Sequence, residues 1–165
     1  MEQTDLSILS DDFDSLGERH RMPKLLIAED HPRMRQKVVR TLEADHLVVA
    51  VVGDGLEMLD AESRTLPDIV ILDISMPTMN GIEAATRLKK RPSNARIIFL
   101  TVHQEPEFVE AALAAGADGY VIKSRLAIDL RLAIKEVLAG RRFVSPCLTA
   151  GGTGDLGQRG LKLRR

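Results

Sequence analysis

The chain has 165 residues, with 23 Lys and Arg against 24 Asp and Glu, for a net charge of -1. That length suits one domain able to bury about 69% of the surface its unfolded chain exposes. The charge balance excludes a global basic field for nucleic acid or anionic lipid, and the single cysteine, Cys147, excludes an intrachain disulfide and a cysteine-rich zinc site. Apolar runs are too short to cross a bilayer and no basic-then-apolar leader opens the chain, so the expected location is cytoplasmic.

Residues 1–22 carry Glu2, Asp5, Asp11, Asp12, Asp14 and Glu18 against two arginines. They read as a flexible acidic extension, with a short docked amphipathic helix as the alternative. From there the pattern alternates strand and helix five times. Leu25–Ala28, Leu47–Val52, Ile69–Leu72, Ile97–Leu100 and Tyr120–Ile122 are short apolar runs rich in Ile, Val and Leu, as strands covered on both faces read. Met34, Val38 and Leu42, then Ile82, Ala85 and Leu88, then Leu126, Leu130, Ile134 and Leu138 fall at helical spacing. Pro32 suits a first helical turn. A second helix is expected over about residues 56–66, and an alanine-rich one over 105–115 with Gly116 as its stop. The sum is an α/β domain, residues 23–142, with a doubly wound parallel sheet. Residues 143–165 read as a basic, glycine-rich tail.

Open α/β sheets bind ligands beyond the carboxyl ends of their strands. Those ends carry Glu29 and Asp30, then Asp73, Thr101 and Lys123. Each has an ordinary alternative: Asp30 as a helix N-cap, Asp73 in an Asx-turn, Thr101 as a strand former, Lys123 as an exposed strand end. Together they are different, because clustered carboxylates repel unless a cation compensates them. A hard divalent ion such as Mg²⁺ takes oxygen ligands and phosphate oxygens, so an acidic cleft with one lysine suits phosphoryl chemistry. No GxGxxG or GxxxxGK[ST] loop follows the first strand, which argues against a nucleotide-binding domain. The histidines fit no ligand spacing; His103 lies near the cleft.

The run from Leu72 through Asp73, Ser75 and Pro77 to Gly81, with Glu29-Asp30 before it and Leu100-Thr101 and Gly119 to Lys123 after it, resembles the receiver domain of bacterial two-component response regulators. Leu100 to His103 and Gly140 to Pro146 are similar to receivers usually joined to LuxR-type helix-turn-helix domains. The resemblance implies a flavodoxin-like (βα)₅ sheet of order 2-1-3-4-5. It implies Asp73 as acceptor of a phosphoryl group from a histidine kinase. Mg²⁺ would lie on Asp30, Asp73 and the Ser75 carbonyl, with Glu29 assisting, and Lys123 would pair with the acceptor. Thr101 and Tyr120 would form a switch that alters the surface of the fourth helix, fifth strand and fifth helix, and Pro77 and Gly81 would shape the acceptor loop.

The family does not work as a conventional enzyme; it assists its own phosphotransfer. Ser124 stands where many members have proline. A phosphatase of the haloacid-dehalogenase type would need an aspartate where Ser75 stands. After Pro146 no helix pair able to read DNA is legible. The expectation is therefore a receiver without sequence-specific DNA binding of its own and without a membrane partner, acting through a protein partner or a missing DNA-binding domain. A homodimer is compatible with that reading. A phosphorylation-independent adaptor is the remaining alternative.

Overall fold

The computed structural model describes residues 21–150, so the expectations for residues 1–20 and 151–165 lie outside the described residues. Five strands follow the apolar runs: β1 (Lys24–Ala28), β2 (Leu47–Val52), β3 (Ile69–Leu72), β4 (Arg96–Thr101) and β5 (Gly119–Ile122). Between them lie α1 (Pro32–Leu42), α2 (Gly55–Thr65), α3 (Gly81–Lys89) and α4 (Pro106–Ala114), with α5 (Leu126–Leu138) after β5. All strand pairs are parallel, in the order β2-β1-β3-β4-β5 with a sixth strand added beyond β5. The flavodoxin-like order holds.

Two findings correct the sequence reading. The tail begins later than residue 143, because Phe143–Val144 forms β6 and Pro146–Ala150 forms a short helix, α6. Phe143 pairs with Gly119 and Val144 with Tyr120; two residues gave too short an apolar run to read as a strand. β2 is also not covered on both faces. As the sheet edge it leaves Leu47 and Val51 exposed.

Period-two alternation is hidden inside the apolar runs. Leu25, Ile27, Ile69, Ile71, Ile98, Leu100 and Val121 point to the side of α1 and α5. Leu26, Ala28, Val70, Leu72, Ile97, Phe99 and Tyr120 point to the side of α2, α3 and α4. β1, β3, β4 and β5 thus each contribute to two cores and leave neither face to solvent. Gly116 ends α4 in the left-handed region at φ 94°, which a side chain would strain. No helix among the described residues is long and apolar enough to cross a membrane.

Candidate functional site

The parallel register brings the carboxyl ends of β1, β3, β4 and β5 to one rim. The Asp73 amide donates to the carbonyl of Ala28, the last residue of β1, at 3.0 Å, extending the β1–β3 ladder one residue past β3. Asp73 and Glu29 therefore start from adjacent, fixed backbones. Lys123 reaches in from the end of β5 and ties them together. Its Nζ lies 2.8 Å from Asp73 Oδ2 and 2.7 Å from Glu29 Oε2, with Lys123 only 10% exposed. Asp73 Oδ1 accepts from the Ile74 amide at 2.7 Å, and Glu29 Oε1 from the His31 amide at 3.1 Å. Neither Asp73 nor Lys123 plays its ordinary role; both are buried in a shared ion cluster.

The electrostatics follow from burial. Desolvation raises the Glu29 carboxyl above its ordinary value, although Lys123 and the His31 amide pull it back. Burial pulls Lys123 the other way, but the Asp73 and Glu29 carboxylates outweigh it and hold the ammonium firmly protonated. One lysine thus serves two carboxylates, and a third acid stands beside them. Asp30 Oδ1 and Glu29 Oε2 are both shielded from solvent without a hydrogen-bond partner, Glu29 Oε2 meeting Lys123 only as an ion pair. Asp30 is not a helix cap: the N-cap of α1 is His31, without a side-chain capping bond. A carboxylate oxygen left without a donor, in an oxygen-rich donor set, suits a hard cation such as Mg²⁺. The compact group of possible metal ligands among the described residues is Glu29, Asp30 and His31. Sequence reasoning did not single out His31 for this group, although it directly follows the acidic pair.

The acceptor loop is held by close backbone approach. The Gly81 amide donates to the Ile74 carbonyl at 2.8 Å, and a Cβ at residue 81 would lie 2.0 Å from the Asp73 carbonyl oxygen. Only glycine fits there. Pro77 turns the loop through a 2.6 Å bond from the Met79 amide to its carbonyl, and Asn80 caps α3 by accepting from the Glu83 amide. The Lys123–Ser124 bond is trans, and Lys123–Arg125 closes as a 3-10 turn.

On the far side of Asp73, three of the expected elements meet at His103. Thr101 is fully buried, and its Oγ1 accepts from the His103 amide at 3.3 Å. The hydroxyl of Tyr120 donates to the His103 carbonyl at 3.0 Å. His103 Nε2 lies 2.8 Å from Ser75 Oγ, and its ring stacks on Phe108 with centroids 3.9 Å apart. Tyr120 is fully buried, and the loss of solvent around it raises its hydroxyl pKa. The sequence placed His103 near the cleft; the contacts make it the residue that joins the Asp73 loop to Thr101 and Tyr120.

Comparison with known proteins shows the family of the chain. The family model of the response regulator receiver domain matches residues 25–135. The nitrate/nitrite response regulator protein NarL of Escherichia coli K12 is 33% identical over 127 residues, covering 76% of this chain and 59% of its own length. Response regulator GacA of Pseudomonas aeruginosa is 34% identical over 128 residues, 76% of this chain and 59% of its own. The chain thus spans less than two thirds of these relatives. A crystal structure of a LuxR-family two-component response regulator from Aurantimonas sp. SI85-9A1 superposes with a TM-score of 0.75 at 36% identity, covering 79% of this chain and 94% of that one. A LuxR-family DNA-binding response regulator from Staphylococcus aureus gives 0.67 at 32% identity, over 70% and 98%. With the sheet order, the acidic rim and the match across most of its length, the chain belongs to the response regulator receiver family and is of the NarL/LuxR type in two-component signalling.

Proposed function

We propose that Asp73 accepts a phosphoryl group from a phosphohistidine of a sensor kinase. The observation that carries this reading is the shared lysine: Lys123 holds Asp73 and Glu29 within 2.8 Å and 2.7 Å while Asp30 Oδ1 lacks a partner. In the transfer, a P–O bond forms to an Asp73 carboxylate oxygen as the donor's P–N bond breaks, and the histidine leaves with the bonding pair. Positioning and charge neutralisation carry most of such catalysis. Asp30, Asp73 and the Ser75 carbonyl would hold Mg²⁺, with Glu29 assisting; when bound, the ion neutralises charge on the phosphoryl oxygens. Lys123 can then shift its bonds from the carboxylate to those oxygens.

The new group brings about -1.5 to -2 charges and three acceptor oxygens to the rim. Thr101 lies one strand over and can turn its hydroxyl toward them. Its bond to the His103 amide then loosens, and Tyr120 is held by the same residue, so the surface of α4, β5 and α5 responds as a unit. Reversing a two-state population from 1:99 to 99:1 takes about 5.5 kcal/mol. Two or three charge-assisted hydrogen bonds, each about 1.5–3 kcal/mol, supply that order of energy. Control of transcription is the proposed output, since a similar solved structure is of a DNA-binding response regulator and a relative 32% identical is named as a probable transcriptional regulatory protein, with cytoplasmic location and a homodimer as compatible features.

The test is incubation with Mg²⁺ and acetyl phosphate followed by intact-mass measurement. The wild type gains a single phosphoryl adduct and Asp73→Asn gains none. Equal labelling of both would defeat the assignment.

A further inference from the structure

We propose that the acidic segment over residues 11–16 of this chain docks in cis on the groove between α1 and the edge strand β2. Phe13 and Leu16 would cover Val39 and Val51, and the carboxylates of Asp11, Asp12 and Asp14 would face the arginines of α1. The proposal is independent of the phosphoryl reading.

The groove is lined by Arg35, Gln36, Val39, Arg40 and Glu43 on one side and by Val51 on the other. β2 is the edge of the sheet, and its six residues are all aliphatic, with no charge among them. An uncharged edge of that kind takes on further chain unless something covers or blunts it. Val51 is 39% exposed in the groove, and Leu47, at the start of the strand, is 50% exposed. The other wall supplies charge of one sign. Arg33, Arg35, Lys37 and Arg40 are the charged residues of α1, and it holds no acid. Arg33 and Arg35 fall within its first four positions, where the helix dipole disfavours cations. Arg33 also stands four residues before Lys37, a spacing at which like charges repel. Among the described residues no carboxylate forms an ion pair with any of the four. The groove is separate from the contact of α1 with α5, where Arg131 donates to the Thr41 carbonyl.

The chain itself brings a matching occupant to this groove. Residues 1–20 lie outside the described residues, and the described chain starts at the foot of β2. The Arg21 guanidinium is fixed on Asp68 at 2.7 Å, and the Pro23 carbonyl accepts from the Leu47 amide at 2.9 Å. The preceding segment is thus delivered beside the first residue of β2. Val51 lies four residues along the strand, about 13 Å away. The stretch from Phe13 to Pro23 can extend to about 33 Å, so its reach is ample. The sequence Asp11-Asp12-Phe13-Asp14-Ser15-Leu16 sets three carboxylates around two apolar side chains. That is the complement of a cationic groove floored by two valines.

The experiment is nuclear magnetic resonance of the isotope-labelled full chain carrying a nitroxide on Ser10→Cys, with Cys147→Ser as background. At low salt the amide signals of Val39, Arg40 and Val51 should be lost to paramagnetic broadening, while that of Ile128 on α5 stays sharp. Added salt should return them, since the contact is largely ionic and exposed. Phe13→Ala and, separately, Arg40→Glu should each restore most of the lost intensity. Unchanged shifts of core amides such as Ile71 would show that both variants are folded. Sharp groove signals at low salt, or equal broadening in both variants, would overturn the proposal. Broadening of residues 159–165 in place of the groove would overturn it too, by giving the segment to the basic end of the chain. So would broadening produced by mixing a nitroxide-bearing chain without isotope with an isotope-labelled chain without nitroxide, because the contact would then join two copies.

Discussion

Two buried ionic clusters lie within a few residues of each other where β5 passes into α5, and they are built on opposite plans. In the first, Lys123 divides itself between Asp73 and Glu29, while Asp30 Oδ1 goes unpaired. In the second, Asp129 is 2% exposed and saturated. Its Oδ2 accepts from Arg125 Nε and Ser145 Oγ, both at 2.8 Å, and its Oδ1 from Arg125 Nη2 at 3.1 Å. Ser145 Oγ in turn accepts from the Ile122 amide, and the Ser145 amide donates to the Tyr120 carbonyl. The saturated cluster pins β6 and α5 onto β5. The unsaturated one retains unmet demand for positive charge, which is what a site that recruits an ion and a phosphoryl group requires.

The largest effect expected from this contrast is in the saturated cluster. Asp129→Ala leaves Ser145 and the Arg125 guanidinium without their common acceptor, and should lower unfolding free energy by about 3 kcal/mol, read from urea denaturation. Ser145→Ala removes two buried bonds from one hydroxyl and should cost about 1–2 kcal/mol. A loss in Ser145→Ala equal to that in an exposed substitution such as Thr149→Ala would remove β6 from the set of stabilising elements.

Acid should separate the clusters further. Burial alone would raise the Asp129 carboxyl, but hydrogen bonds from Arg125 and Ser145, together with the Arg125 charge, hold it below the ordinary value of 3.8. The folded pKa is thus lower than the unfolded one, and the native state binds fewer protons. Its contribution is complete above the unfolded value and is lost as pH falls through the folded value. Urea midpoints followed downward from about pH 5 should fall less steeply for Asp129→Asn than for the wild type.

The rim was legible from sequence for a physical reason. A parallel strand is a short apolar run, and the residue that ends it must lie at one edge of the sheet, so Glu29, Asp30, Asp73, Thr101 and Lys123 could be placed without coordinates. Gly81 was legible only as a motif residue; its necessity comes from the Asp73 carbonyl 2.0 Å from where a Cβ would stand. The second cluster was not legible at all. Arg125 and Asp129 stand at i,i+4 spacing, as countless surface pairs do, and nothing local shows that Ser145 returns to cover them. β6 was lost for the same cause, since a two-residue strand has no period of its own. His103 lacked any ligand spacing because two of its partnerships are made by its backbone.

Ion addition should move only the unsaturated cluster. At Mg²⁺ ten times its Kd, the wild type should gain about 1.4 kcal/mol of stability, and Asp30→Asn should gain none. A stabilisation that survives Asp30→Asn would place the ion elsewhere.

The smallest effect carries the sharpest sign. In Mg²⁺-free buffer, most changes to a buried charged group destabilise, and Asp129→Asn belongs to that class. Asp30→Asn should not. Its carboxylate stands beside Glu29, whose own carboxyl burial already raises, and its buried oxygen has no donor to lose. Removing one negative charge relieves repulsion and leaves both ion pairs of Lys123 in place. Asp30→Asn should therefore raise unfolding free energy by up to about 1 kcal/mol, measured by urea denaturation in the presence of a chelator. Destabilisation comparable to that of Asp129→Asn would mean that Asp30 is held by contacts as complete as those of the second cluster, and that the two plans do not differ.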